Sequence, residues 1–149
     1  MTREHLKFKL VLEVTYVSIP PKLEIYVDDN FKYSSHSMDS NREHTIIFDH
    51  VCDFGEHELK IVRSRKFDTA PEQTVELKNV IIDGVDIRNI IWINSYNENV
   101  YPEPWATQQL EQGNVLEKQV IGETVFGHNC TWRLPFTSPF YEYVMDWLR

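Results

Sequence analysis

From Leu6 to Tyr16 the chain alternates. Leu6, Phe8, Leu10, Leu12, Val14 and Tyr16 fall on one face, and Lys7, Lys9, Glu13 and Thr15 on the other. A repeat of two is the side-chain period of a β-strand with one face buried, and a helix would scatter the same residues around its axis. The rhythm recurs in Lys22–Asp28, in Glu58–Arg63 and in Thr74–Leu77 running on to Asp83–Ile87. Each run stops at residues that form turns, as half-buried antiparallel strands do. The chain is therefore expected to be all-β, an antiparallel β-sandwich or jelly roll.

The remaining segments fit that plan. Ile19-Pro20-Pro21 breaks the first strand, because proline cannot donate to a ladder. Phe31-Lys32-Tyr33 reads as the hairpin partner of Lys22–Asp28, and residues 34–43 as a polar loop. Further strands are expected at His44–Asp49, Glu56–Arg63, Gln73–Ile82 and Ile87–Ile93, with a charged loop over residues 64–72 and a tight turn at Asp83-Gly84. Residues 94–113 carry two prolines, large aromatics and many amides, and are read as one long aromatic-rich loop. Residues 114–121, 124–126 and 130–136 supply short strands. Ser138-Pro139 resembles a helix start. Beyond it Phe140, Tyr143, Val144, Trp147 and Leu148 repeat at helical spacing, so a short C-terminal helix is expected over residues 138–149. With 149 residues the chain is expected to make one domain, 1–149.

Charge and cysteine content narrow the classes. A net charge of −8 and a pI near 5.2 disfavour nucleic acid and anionic membrane as partners. The basic cluster Lys60, Arg63, Arg65 and Lys66 reads as outward charges around a strand end, with an anion contact as the alternative. Cys52 and Cys130 lie in no metal-binding frame and are expected to be buried or half-buried free thiols. Met1-Thr2-Arg3-Glu4-His5 lacks the apolar run of a signal peptide, and no apolar stretch approaches a membrane span.

Chemistry is sparse. There is no phosphate loop, nucleophile elbow or HExxH motif, and the six histidines are scattered, so no catalytic residue is expected and the chain is not read as an enzyme. Glu56 and Glu58 point the same way from one strand. Oxygen-rich turns at Asp28-Asp29-Asn30, Asp49, Asp53, Asp83 and Asp86 make calcium possible, although no metal ligand is assigned. The binding candidates are aromatic. Trp92, Tyr96, Tyr101 and Trp105 could stack on sugar rings beside hydrogen-bonding amides, or anchor a subunit contact together with Tyr143 and Trp147.

Residues 22–93 also have a familiar order. Leu-Glu-Ile-Tyr-Val-Asp, Thr-Ile-Ile-Phe, Gly-Glu-His-Glu-Leu-Lys-Ile and Val-Ile-Ile-Asp-Gly-Val-Asp-Ile follow one another. This half of the chain resembles small calcium-dependent xylan-binding modules and related β-sandwich proteins of tailed bacteriophages. The stretch from Trp132 to Tyr143 resembles short phage virion proteins. The resemblance implies a non-catalytic structural protein of a bacteriophage virion, such as a capsid decoration, neck or tail accessory made in the host cytoplasm. Its partners would be other virion proteins or further copies of itself. The alternative it implies is a carbohydrate-binding module with an aromatic platform, with or without calcium.

Overall fold

The computed structural model describes residues 2–65, 73–101 and 103–148. It is an antiparallel β-sandwich. β1 (Arg3–Tyr16), β2 (Lys22–Val27), β3 (Asn30–Ser35), β4 (Arg42–Asp53), β5 (Gly55–Ser64), β6 (Gln73–Ile82) and β7 (Val85–Asp86) lead into α1 (Arg88–Asn94). β8 (Tyr96–Val100), α2 (Trp105–Glu111), β9 (Gln119–Ile121), β10 (Val125–Phe126), β11 (Asn129–Ser138) and α3 (Phe140–Leu148) complete it. The first sheet runs β10-β6-β1-β4, with β7 paired to β6, and the second runs β3-β2-β5-β11-β8-β9.

The alternation in β1 does what period two demands. Leu6, Phe8, Leu10, Leu12 and Val14 are fully buried between the sheets. They meet Leu23, Ile25 and Val27 of β2, Leu59 and Ile61 of β5, and Trp132, Leu134 and Phe136 of β11 in one core. β1 pairs with both β4 and β6, and its register against β6 shifts between Val11 and Leu12. Burial along β6 changes parity at the same place, from Val75 and Leu77 to Val80 and Ile82. Lys78 is the extra residue of that bulge, which lets β6 keep its apolar side inward on both sides of the irregularity. At the β2–β3 hairpin Asp28 and Asp29 both take positive φ, 53° and 63°, the backbone of a two-residue turn that follows strand twist.

Four expectations of secondary structure are corrected. Ile87–Ile93 is helix rather than strand: Asp86 Oδ1 accepts the Arg88 N–H at 3.0 Å and starts the turn, and Ile91 N–H donates to the Ile87 carbonyl at 2.9 Å. The unbroken apolar run Ile90–Ile93 is too short to have a period that separates the two readings. Residues 94–113 are structured rather than a loop. β8 pairs with β11 and β9, and the Glu103 carboxylate accepts from the Thr107 hydroxyl at 2.6 Å and its N–H at 3.3 Å, capping α2. Residues 114–118 are outside any strand. Ser138 ends β11 instead of capping α3. Glu4 of β1 accepts both the Ser138 hydroxyl and the Phe140 N–H, and so holds the start of the helix from the neighbouring sheet.

The charged loop at 64–72 falls mostly outside the described residues, Lys66 included. Its neighbour Arg63 is in the core at 1% exposure, because β5 places Leu59, Ile61 and Arg63 on one face. The guanidinium donates to Asn129 Oδ1 at 3.1 Å and to the Gln73 carbonyl at 2.8 Å, and burial pushes it down to about 10. Cys52 and Cys130 are buried and free, as expected, and burial pushes the Cys130 thiol up to about 12. Among the described residues no helix is long and apolar enough to cross a membrane.

Candidate functional site

α3 packs along β11 through a ladder of rings. Phe136 meets Phe140 and Tyr143 edge-on at 6.2 and 6.5 Å, Tyr143 stacks with Phe140 at 5.8 Å, and Trp147 meets Tyr143 edge-on at 6.4 Å. Helical spacing makes this ladder, since Phe140, Tyr143 and Trp147 fall on the side facing the sheet. The ladder stops short of the end of β5. Between them lies an open cleft of about 400 Å³, bounded by Glu56, His57, Glu58, Asn94, Tyr143 and Trp147.

Its polar groups are held in place. β5 and β11 pair Glu56 with Thr137 and Glu58 with Pro135, which places both glutamates along the cleft wall. Asn94, the last residue of α1, donates to the Pro135 carbonyl at 2.9 Å and to the Tyr143 hydroxyl at 2.7 Å. Tyr143 donates onward to the same carbonyl at 2.9 Å. Burial pushes the phenol up to about 12 despite hydrogen bonds from Asn94 and Trp147 that favour the charged form, so it stays a neutral donor. Glu58 is paired with Arg133 at 2.7 Å, and Arg133 in turn with Glu98 at 2.5 Å. Among the described residues Glu56 has no ion-pair partner. Trp147 keeps 37% of its surface open to solvent. A half-exposed indole beside fixed acceptors and an amide is chemistry suited to a polyhydroxylated ligand: the ring covers C–H faces and the oxygens take hydroxyl protons.

The six aromatic candidates do not form one platform. Tyr143 and Trp147 share the cleft. Tyr101 and Trp105 lie 5.9 Å apart and pack around His128 at 4.8 and 5.7 Å, with the Tyr101 hydroxyl bonded to the Glu117 carbonyl. They fasten α2 and the segment before β9 to the sandwich. Tyr96 is half-buried on β8. Trp92 lies on α1, apart from the other five, with 74% of its surface exposed, beside a groove of about 230 Å³ that reaches Asn79, Arg88 and Thr124. Glu56, His57 and Asn94 complete the cleft without having been singled out together, because only the β5–β11 register and the end of α1 bring them to Tyr143.

The oxygen-rich turns are occupied from within the chain. Asp29 bonds Lys60 at 2.6 Å, which holds its carboxyl below the usual range. Asp49 is 3.4 Å from His5, Asp53 bonds Arg3 at 3.1 Å, Asp83 accepts the Lys7 N–H at 2.7 Å and Asp86 bonds Arg88 at 2.9 Å. Asp28 is taken by histidines. Among the described residues no three metal-ligating side chains are grouped to hold an ion.

No protein-family model matches the chain, and no curated protein matches it. Among solved structures, one described as "vCBM60 in complex with galactobiose" aligns with 88% of this chain and 97% of its own, at 9% identity and a TM-score of 0.42. The fold class stands on the strand pairing itself: an antiparallel two-sheet sandwich with a cleft between its terminal helix and one sheet.

Proposed function

We propose that the chain is a non-catalytic carbohydrate-binding domain, and that the cleft under α3 is where the sugar sits. The observation that carries this reading is the convergence of Trp147, Tyr143, Asn94, Glu56 and Glu58 on one open volume of about 400 Å³. Trp147 is the stacking face, Glu56 an acceptor with no ion-pair partner among the described residues, and Asn94 with Tyr143 the fixed amide and hydroxyl. Both cysteines are buried with their thiols pushed up, and so make poor nucleophiles. Calorimetric titration with β-linked disaccharides of glucose, xylose, galactose and N-acetylglucosamine tests it. At least one should bind, and Trp147→Ala should weaken that binding roughly 30-fold or more, the about 2 kcal/mol that marks an anchor residue. The circular-dichroism spectrum should be unchanged, and Trp92→Ala should bind as the parent does. No binding to any of these sugars, or equal binding by Trp147→Ala, overturns the reading.

Binding should also be indifferent to calcium. The aspartates that could ligate it hold Lys60, His57, Arg3 and Arg88 instead. Titrations in EDTA and in millimolar calcium are expected to superimpose, and a loss of affinity in EDTA would show a site that these contacts conceal.

A second reading, an assembly protein such as a phage virion component, is favoured by one surface. Trp92 and Ile93 on α1 and Ile121 on β9 are all mostly exposed, and Gly122 brings β9 against α1. An apolar group of this kind suits a protein partner more than a sugar. Light scattering on the purified chain separates the two: self-association lost in Trp92→Ala supports assembly.

A further inference from the structure

The turn after β2, the end of β4 and the start of β5 meet at one carboxylate. Asp28 Oδ2 lies 2.5 Å from His57 Nδ1 and 3.6 Å from His50 Nε2, and Asp28 Oδ1 accepts the Glu58 N–H at 2.9 Å. The second ring nitrogen of His57, Nε2, lies 2.5 Å from the Asp53 carbonyl oxygen. An ionised carboxylate and a carbonyl can only accept, and a neutral imidazole has a single N–H to give. Both contacts are satisfied together only when His57 carries two ring protons.

His50 plays the opposite part. It is buried, and burial first, then Lys32 and His57, hold its charged form down, although Asp28 pulls the other way. Of the two imidazoles facing Asp28, His57 is therefore the one the geometry makes cationic. The other groups around it are Glu56 and Glu58 on either side along β5, and the uncharged Phe136 ring of β11 at 5.6 Å. The Asp53 carboxylate is turned away to Arg3, and Lys32 of β3 reaches the Asp49 carbonyl at 3.0 Å. Across the cleft α3 offers Tyr143, whose phenol stays neutral.

We propose that His57 is a proton-operated latch on the cleft. Doubly protonated, it ties the β2–β3 turn to the β4–β5 corner and fixes the backbone that aims Glu56 and Glu58. As pH rises the proton leaves to solvent, one of the two hydrogen bonds goes, and the strand end carrying both carboxylates loosens. The latch regulates the site proposed above and rests on that reading for its consequence, though its existence can be measured without a sugar.

Nitrogen-15 spectra of the histidine rings, recorded on the full chain from about pH 5 to about pH 8, test it. His57, assigned by its absence in His57→Gln, should pass from two ring protons to one. The Glu58 and Thr137 amides should move with the same midpoint. In Asp28→Asn that shared midpoint should fall, because an opposite charge within hydrogen-bond reach has been removed. A ring that holds one proton, or two, across the whole range overturns the latch. So does a titration that leaves Glu58 and Thr137 unmoved. If the latch is present and no disaccharide binds, only the carbohydrate reading fails.

Discussion

Leu10→Asp is expected to leave no folded protein, while its neighbour Lys9→Asp folds normally. Leu10 is at the middle of β1, fully buried, with Ile46 of β4 on one side and Val80 of β6 on the other. The substitution loses about 2–3 kcal/mol of apolar burial. It also places a carboxylate where no cation or donor is available, which costs several kcal/mol more. Together these reach into the roughly 5–15 kcal/mol that holds an ordinary domain together. Lys9 points outward between Ile47 and Ile81, and an exposed aspartate there costs about 1 kcal/mol through strand preference alone. Urea denaturation separates the two. Leu10→Ala gives a measurable intermediate, expected to lose about 2–5 kcal/mol. Near-parental midpoints for both Leu10 variants would mean that β1 turns its other face to the core.

The same strand shows why part of the fold could be read and part could not. In β1, β5 and β11 one face is buried and the other wet, so the pattern of apolar residues is the pattern of burial. α3 is legible for the corresponding reason at helical spacing. β8 is not, because the residue it buries is Asn97 rather than a hydrophobic one. α1 is not, because Ile90–Ile93 is a short unbroken apolar run and its exposed members, Trp92 and Ile93, differ from its buried ones, Ile90 and Ile91, only in which way the helix turns. Arg63 has its burial in the alternation of β5, but its charge argues for the opposite face. The cleft and the latch depend on register. Asp28 meets Glu58 because Val27 pairs with Leu59, and Glu56 meets α3 because it pairs with Thr137. Pairings of that range follow from how strands are ordered in a sheet, which local pattern does not specify.

Gly122→Ala is expected to be the most damaging glycine-to-alanine change in the chain. Gly122 has φ +76, and a Cβ there would stand 2.4 Å from the Trp92 carbonyl oxygen and 3.2 Å from its carbon. The obstacle is backbone on both sides, so no side-chain rotation relieves it. The Gly122 N–H also donates to the Ser95 carbonyl at 3.0 Å, so moving the segment away breaks the bond that fastens β9 to the end of α1. The left-handed backbone alone costs an alanine about 1–2 kcal/mol, and forcing two packed backbones apart adds about 1–3 kcal/mol. At about 2–4 °C per kcal/mol for a chain of this size, thermal unfolding should fall by roughly 10 °C. Gly84→Ala is the control. Its φ is +78, but nothing lies within 4 Å of the added carbon, so it carries the conformational cost without the collision. Equal losses in the two variants would show that contact with α1 contributes nothing. A larger loss at Gly122 has a consequence for function, because α1 ends at Asn94, the residue that holds the Pro135 carbonyl and the Tyr143 hydroxyl at the cleft. Displacing α1 moves that amide, so Gly122→Ala should weaken disaccharide binding even at temperatures where the sandwich remains folded, and Gly84→Ala should not.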